Sequence, residues 1–338
     1  MLARLSNANR LRFVTAAALG LFALPAARAQ DYPKAEISNG VVRAEIMLPD
    51  SERGSYRGTR FDWSGIVCSL EFAGHQFFGN WHDNRDPKIH DAVTGPAEEF
   101  LTGDDSALGY DEARAGGTFV RIGVGVIRKP DEKAYRRFAT YDIEDHGKWT
   151  VRKKKDSVEF VHQLSSSDGY AYEYRKTLRL AKGKPEMEIE HSLKNTGRKT
   201  IDTSQYSHNF IVIDQQVIGP DTSVRFPFTP KAERELRFGG EIRGQQITYS
   251  RELDKGQTSS SLVQGFGEDA KDYDFRVENR KAGAGVRITG DRPLTKINYW
   301  SVRAVACPEP YIHVRIEPGK ESHWTLRYSF YTLPPSGN

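Results

Sequence analysis

Cysteine is almost absent from this chain of 338 residues, since Cys68 and Cys307 are the only two. Two cysteines do not make a disulfide framework, and the sequence leaves open whether they pair. The chain also lacks the C-x-x-C and H-E-x-x-H patterns and the glycine-rich loop that cradles phosphate. We therefore expect neither a metal ion nor an organic cofactor.

Long apolar runs are equally scarce. One 15-residue run, FVTAAALGLFALPAA at 13–27, follows several arginines and overlaps the triplet Ala-Arg-Ala at 27–29. A basic start, a short apolar run and a small-x-small triplet are typical of a cleavable signal peptide, so residues 1–29 predict export to the periplasm or the extracellular space. No later run approaches about 18 apolar residues, so 30–338 is expected to be soluble, without membrane contact.

Net charge is absent once this signal is removed. The signal carries four arginines and no acidic residue. The whole chain has 49 Lys and Arg residues, so 45 remain after cleavage, which equals the number of Asp and Glu residues. A mature chain without net charge offers no electrostatic basis for binding nucleic acid. Nucleic acid is therefore not expected as a partner.

A period of two dominates the pattern of apolar residues. In 170–180, three tyrosines, Lys176 and two leucines alternate with more polar residues, and 187–194 alternates in the same way. Such alternation is typical of strands with one buried face. Helical patterns are scarce, and KAERELRFGG at 231–240 is the best short candidate. Many strands separated by turn residues predict one all-β domain over 30–338, a large antiparallel sandwich.

Two polar constellations interrupt the strand pattern. SQYSHNFIVID at 204–214 places Tyr206, His208 and Asn209 at the start of an apolar run. ACPEPYIHVRIEPGKESHW contains Glu309 between two prolines, whose fixed φ angles restrain the backbone on both sides of the carboxylate. Trp300 and Arg303 lie just upstream of Glu309 and are candidates to stack on a sugar and to clamp it. The irregular stretch 81–117 is the expected rim of a cleft.

These motifs resemble the galactose mutarotase-like family, which includes aldose 1-epimerases. The resemblance rests on an N-T-G turn followed by H-N-F, then C-P-E-P and E-P-G-K-E about a hundred residues later, and on GTRFDWSG at 58–65. It extends over most of 37–333. It implies a large antiparallel β-supersandwich with few helices, in agreement with the period of two, and a carbohydrate as the binding partner.

The resemblance also implies roles for individual residues. His208 would be the general acid, Glu309 the general base, and Arg60 a contact to sugar hydroxyls. Asp274 falls where the family has a sugar-binding aspartate, although Asp272 fits almost as well. This chain departs from the family in having Asn209 where a proline is usual.

A further departure concerns a second catalytic histidine, which has no clear match. His82 and His90 both lie in the stretch where it would be expected.

The chemistry of an aldose epimerase explains these residue types. Opening a hemiacetal removes a proton from the anomeric hydroxyl and delivers one to the ring oxygen, which a carboxylate and an imidazolium on opposite sides of the ring can do. Their reference pKa values, about 4.3 and 6.5, suit this task near neutrality. The leading hypothesis is therefore an exported aldose 1-epimerase-like isomerase.

Two other functions fit the same residues. In a polysaccharide lyase, Asn209 and an arginine would neutralise a uronate carboxylate, while Tyr206 or His208 would abstract the C5 proton. A carbohydrate-binding module without catalysis would need the aromatic residues but would tolerate the loss of Glu309. The sequence alone does not decide among isomerase, lyase and binding module.

Overall fold

The computed structural model describes residues 32–83, 86–103, 105–132 and 134–334. The predicted signal peptide, 1–29, lies outside them. Within these ranges regular structure is almost entirely β-strand, and the one helical segment is a single 3₁₀ turn, Ala270–Asp272. No helix in the described part of the chain has the length and apolarity needed to cross a membrane.

The strands are numbered in chain order. Those of the first half are β1 Lys34–Ser38, β2 Val42–Met47, β3 Val67–Phe72, β4 His75–Phe77, β5 Gly95–Leu101, β6 Thr118–Arg121, β7 Gly125–Arg128, β8 Ile143–Asp145, β9 Lys148–Lys153, β10 Ser157–Ser165, β11 Ala171–Leu180 and β12 Glu186–Asn195. Those of the second half are β13 Ile201–Phe210, β14 Thr222–Arg225, β15 Lys231–Ala232, β16 Gly240–Arg243, β17 Gln246–Tyr249, β18 Thr258–Gln264, β19 Asp274–Asn279, β20 Ala284–Gly290, β21 Lys296–Val302, β22 Val305–Ile316 and β23 Glu321–Thr332.

Two large antiparallel sheets form the body of the protein. The ten-stranded sheet has the order β16-β17-β14-β19-β20-β23-β12-β11-β10-β9, and the six-stranded sheet has the order β15-β18-β21-β22-β13-β5. A four-stranded sheet, β1-β2-β3-β4, and a three-stranded sheet, β6-β7-β8, complete the fold. The predicted all-β antiparallel fold is confirmed.

The main hydrophobic core contains side chains from both large sheets. The predicted inward face of β11 and β12 is buried as the alternation indicates, and Tyr172, Tyr174 and Leu193 belong to this core. Burial of each large apolar side chain contributes roughly 1.5–3 kcal/mol. The tyrosines at 170–174 are therefore core residues and not an exposed sugar platform.

A second hydrophobic cluster covers the other face of the six-stranded sheet. It combines Tyr206, Phe210 and Tyr311 from β13 and β22 with loop residues such as Phe61 and Val93. The six-stranded sheet is thus enclosed on both faces over much of its area. Polar side chains on the face of this second cluster must be satisfied without bulk water.

Two local predictions were wrong. The segment 231–240 is not helical: it forms the short edge strand β15 against β18 and then turns, with Phe238 and Gly239 at positive φ. Pairing with a neighbouring strand outweighs the weak helical pattern. The stretch 81–117 is not irregular throughout, because it contains the fully buried strand β5.

Candidate functional site

Strand register gathers polar side chains on the face of the second cluster. Tyr206 of β13 is paired with Glu99 of β5 on one side and with Tyr311 of β22 on the other. Because side chains alternate between faces, His208, two residues beyond Tyr206, lies on the same face as Glu309, two residues before Tyr311. Residues about a hundred positions apart in the sequence therefore meet.

The imidazole of His208 and the carboxylate of Glu309 are in direct contact. Nε2 of His208 lies 3.1 Å from Oε1 of Glu309. Both residues are buried, with 4% and 3% of their surface exposed. Oε2 of Glu309 accepts a hydrogen bond of 3.0 Å from Nδ2 of Asn298, which is paired with Glu309 across β21 and β22. The two predicted catalytic side chains are thus brought together.

Burial shifts the two pKa values in opposite directions. Desolvation raises the pKa of Glu309 to about 7, although the bond from Asn298 and the charge of Arg60 oppose the shift. Desolvation, followed by the charges of Arg60 and Arg137, lowers the pKa of His208 well below its ordinary value. Nδ1 of His208 is buried without a hydrogen-bond partner among the described residues, which also favours neutral imidazole.

This geometry differs from the expected arrangement. An imidazolium was expected on the opposite side of a sugar ring from the carboxylate, but the two groups touch, and His208 is neutral near pH 7. The neutral imidazole lies against the carboxylate of Glu309, with Nε2 3.1 Å from Oε1. A sugar hydroxyl that binds to either atom must displace this contact.

An arginine cluster adjoins the pair. Arg60, from the loop between β2 and β3, donates through Nε to Oε2 of Glu99 at 3.0 Å and through Nη2 to the hydroxyl of Tyr206 at 3.0 Å. Arg137, from the loop between β7 and β8, donates to Oε2 of Glu99 at 2.9 Å and to the Tyr206 hydroxyl at 2.6 Å. Arg121 donates to Oε1 of Glu99 at 2.9 Å. Arg60 is therefore at the candidate site, paired with Glu99.

Aromatic rings form one wall of the site. His208 stacks on Phe210 with ring centroids 3.8 Å apart, and Trp81 stacks on Phe210 at 4.9 Å. Trp300 meets His208 edge to face at 5.5 Å and is half-buried. The predicted stacking residue Trp300 thus adjoins the pair. Such a wall can pack against the apolar face of a sugar ring.

The site opens where side chains keep contact with solvent. Asn298 and Trp300 are partly exposed, and the ring of Phe138 is 57% exposed. The guanidinium of Arg60 lies 4.8 Å from the centroid of the Phe138 ring and 4.3 Å from that of Phe61. Phe138 therefore marks the rim on the arginine side of the site, and Trp300 marks it on the side of the pair.

Three predicted binding residues lie elsewhere. Asn209 points to the opposite face of β13, where Nδ2 donates to the Pro308 carbonyl at 2.8 Å and Oδ1 accepts from Tyr328 at 2.7 Å. Asp274, on β19 of the ten-stranded sheet, is held by Arg287 at 2.6 Å. The structure does not bring these two side chains to the His208–Glu309 pair.

Arg303 is the third predicted binding residue that lies away from the pair. Its Nη1 donates to the Leu253 carbonyl at 2.9 Å, in the turn between β21 and β22. It makes no contact with the pair among the contacts of the described residues. A clamping role beside Glu309 has no support in this geometry.

The alternative residues named from sequence also have defined places. Asp272 ends the 3₁₀ turn and accepts a hydrogen bond from the Gly267 amide at 2.6 Å. His82 packs against Trp81, and His90 packs against Phe138 with ring centroids 5.0 Å apart. Neither histidine contacts His208 or Glu309 among the described contacts. Cys68 and Cys307 are both free thiols.

Several residues of the site escaped the sequence reasoning, among them Glu99, Arg137, Asn298 and Tyr311. A usable signal existed for Tyr311, because it follows Glu309 by two residues and must share its face of the strand. Glu99 lies in GPAEEFL, whose proline and adjacent glutamates do not alternate. Arg137 comes from a loop whose position depends on the folded chain.

A second buried ion cluster holds the loop that carries Arg60. Nζ of Lys176 lies 2.5 Å from Oδ2 of Asp62 and 2.6 Å from Oε2 of Glu98, and Glu98 also binds Nε2 of His191 at 2.9 Å. Glu98 and Glu99 are consecutive on β5 and so face opposite sides of the sheet. The interior cluster anchors Asp62, two residues from Arg60, to the ten-stranded sheet.

Comparison with solved structures defines the class to which this architecture belongs. The chain has a galactose mutarotase-like fold, which confirms the resemblance predicted from sequence at the level of fold. No protein-family model and no curated protein sequence matches it.

Three similar structures carry this assignment. A putative aldose 1-epimerase from Escherichia coli K12 has a TM-score of 0.54 at 12% identity, over 89% of this chain and 99% of that one. A galactose mutarotase-like protein from Clostridium acetobutylicum has a TM-score of 0.55 at 14% identity, over 88% and 95%. A galactose mutarotase related enzyme from Lactobacillus acidophilus has a TM-score of 0.52 at 13% identity, over 90% and 100%.

Proposed function

We propose that this protein is an exported carbohydrate-active enzyme that interconverts the anomers of an aldose. The observation that carries the proposal is the buried contact of 3.1 Å between Nε2 of His208 and Oε1 of Glu309. It lies on a sheet face that also presents Arg60 and an aromatic wall. The galactose mutarotase-like fold supports a sugar as the substrate, and the apolar run at 13–27 supports export.

Glu309 is suited to move protons at neutral pH. Its pKa of about 7 means that the carboxyl is populated in both forms, so it can accept the proton of the anomeric hydroxyl and return it. Neutral His208 can donate a hydrogen bond from Nε2 to the ring oxygen but keeps its proton, because losing it would leave an imidazolate; the ring oxygen takes its proton from solvent at the open rim of the site. When the ring closes, Glu309 returns its proton to the anomeric oxygen and the ring oxygen releases its proton to solvent.

Polarimetry of freshly dissolved aldoses tests this proposal. Wild-type protein should speed the approach to anomeric equilibrium above the spontaneous rate, with equal final rotation from either anomer. An uncatalysed rate with every aldose tested, together with an ultraviolet-absorbing unsaturated product from uronate polymers, would establish the lyase instead. Sugar binding without either reaction, unchanged in Glu309→Gln, would establish a binding module.

The lyase alternative required the Asn209 amide to neutralise a uronate carboxylate, and this amide is not at the site. Asn209 faces the interior of the sandwich and is satisfied by Pro308 and Tyr328. Tyr206 is also a poor base, because burial raises the pKa of its phenol well above the ordinary value despite the nearby Arg137 and Arg60. Neutral His208 remains as a base for the lyase, but without the neutralising amide the isomerase is the function that the site supports better.

A further inference from the structure

The arginine cluster beside the pair holds more positive charge than its acidic partner balances. Arg60, Arg121 and Arg137 each donate to the carboxylate of Glu99, at 3.0, 2.9 and 2.9 Å. Burial by itself would raise the pKa of Glu99, but the three guanidinium groups outweigh it and hold the pKa well below its ordinary range. Glu99 is therefore ionised, and one negative charge faces three positive charges.

The surrounding charges leave this surplus in place. Oδ2 of Asp105 lies 3.3 Å from Nη1 of Arg137, and Oδ1 of Asp105 lies 3.2 Å from Nζ of Lys296. Lys296 in turn lies 4.2 Å above the ring of Tyr311, next to the arginine cluster. Within the described part of the chain, the cluster thus contains four cations and two carboxylates, which leaves two positive charges.

Solvent screens the charge of Lys296, whose side chain is 37% exposed, but reaches little of the arginine charge. The side chains of Arg60 and Arg121 are only 8% and 2% exposed. A buried charge without a partner costs several kcal/mol, because the ion loses its hydration. Nearby His208 already responds to the cluster, since Arg60 and Arg137 both contribute to lowering its pKa. A bound anion would compensate the cluster and stabilise it.

The guanidinium of Arg60 is oriented to receive such an anion. It lies between the rings of Phe61 and Phe138, at 4.3 and 4.8 Å from their centroids, which restricts its plane. Nε and Nη2 are occupied by Glu99 and Tyr206, while Nη1 makes no hydrogen bond to the described residues. The guanidinium of Arg60 is therefore a planar donor whose Nη1 group is free beside the exposed ring of Phe138. A planar acceptor such as a carboxylate matches this geometry.

We propose that the sugar bound at this site carries a carboxylate, so that the preferred substrate is a uronic acid and not a neutral aldose, and that Arg60 binds this carboxylate. The inference rests on the proposed function, since it assigns the substrate class of the same site. When Glu309 is ionised and acts as the base, the surplus falls to one positive charge. One charge matches a carboxylate monoanion better than a phosphate dianion.

Paired sugars that differ only at C6 test the inference. Binding of D-galacturonate and D-galactose, and of D-glucuronate and D-glucose, is measured on the full mature chain by isothermal titration calorimetry. A charge-assisted hydrogen bond contributes about 1.5–3 kcal/mol, so each uronate should bind about 10- to 100-fold more tightly than its neutral partner. The preference should weaken as salt is raised from about 0.05 to about 0.5 M, because the Debye length then falls roughly threefold.

Arg60→Lys is the informative variant. It keeps the positive charge opposite Glu99 but loses the planar fork, so the ratio of the uronate's affinity to that of its neutral partner should fall toward one. Arg175→Lys is the matched control, because Arg175 is bound to Glu159 and Glu173 on the exposed face of the ten-stranded sheet. Thermal unfolding confirms that both variants are folded.

The outcomes separate this inference from the proposed function. Equal binding of galactose and galacturonate, with anomer interconversion of both, overturns the inference and leaves the isomerase intact. Tighter binding of galactose 6-phosphate than of galacturonate overturns the assignment of a carboxylate. Selective binding of uronates with an unsaturated product from uronate polymers supports carboxylate recognition and overturns the isomerase. Absence of binding to every sugar overturns both.

Discussion

Glu309 contacts Nε2 of His208 at 3.1 Å through one carboxylate oxygen and accepts a hydrogen bond from Asn298 at 3.0 Å through the other. These side chains come from three adjacent strands of one sheet, so backbone pairing holds their spacing. Oε2 of the buried carboxylate is thereby hydrogen-bonded, and Oε1 contacts the imidazole, before a substrate arrives. The enzyme proposed here must exchange the imidazole contact for a sugar hydroxyl in each turnover.

Loss of either member of the pair should reduce turnover sharply. His208→Asn and Glu309→Gln keep size and polarity. In polarimetry Glu309→Gln should lower kcat by about 10²- to 10⁴-fold, the range for positioned proton transfer, and His208→Asn by about 10²- to 10³-fold, the range for a hydrogen-bond donor to a developing oxyanion. Because both act in one process, the double variant should lose much less than the product of the single losses. A silent His208→Asn in an active enzyme would make this histidine a structural strand residue.

Removal of the Asn298 amide should shift the pH dependence of the reaction. Asn298 donates to Glu309 and favours the ionised carboxylate, so Asn298→Ala should raise the pKa of Glu309 above its value of about 7. The rise of kcat/KM with pH that follows ionisation of Glu309 should then move to higher pH. An equal loss of activity at every pH, with this rise unmoved, would assign Asn298 another role.

The interior ion cluster should be important for stability. Lys176→Met leaves the buried carboxylates of Asp62 and Glu98 without their shared cation, and loss of one partner of a buried pair costs about 3–5 kcal/mol. Urea unfolding measures this loss. Arg152→Met removes an exposed pair with Glu159 and should cost less than about 1 kcal/mol. Similar losses in the two variants would contradict a structural role for the cluster.

Asp274 should be dispensable for the reaction. Its carboxylate is bound by Arg287 on the exposed face of the ten-stranded sheet. Surface substitutions usually change free energies by less than about 0.5 kcal/mol, so Asp274→Asn should alter kcat and KM by no more than about twofold. A tenfold rise in KM would restore the sugar-binding role that the family resemblance implies for this aspartate.

Export can be tested by the mass of the secreted protein. The basic start, the apolar run at 13–27 and the triplet at 27–29 predict cleavage after Ala29. Mass spectrometry of secreted protein should show a chain that begins at Gln30 or within a few residues of it. Mature protein that retains Met1 would contradict both the predicted compartment and the predicted loss of net charge.

Local sequence was sufficient to predict strands such as β11 and β12 and their buried faces. The alternation in 170–193 follows from the two-residue repeat of an extended chain, so it predicts which side chains of β11 and β12 enter the core. The same rule separates His208 from its neighbour Asn209, since consecutive strand residues face opposite sides. Applied to 204–210, it would have removed Asn209 from the candidate site.

Only the tertiary structure decided what the site contains and how it is charged. Strand pairing over about a hundred residues joins His208 to Glu309, and loop packing places Arg137 beside Glu99. The pKa of Glu309 near 7 results from desolvation by the surrounding chain, a property that no stretch of sequence around Pro308 and Pro310 contains. Sequence determined the residue types and the alternation of faces; long-range contacts and burial determined their partners and protonation.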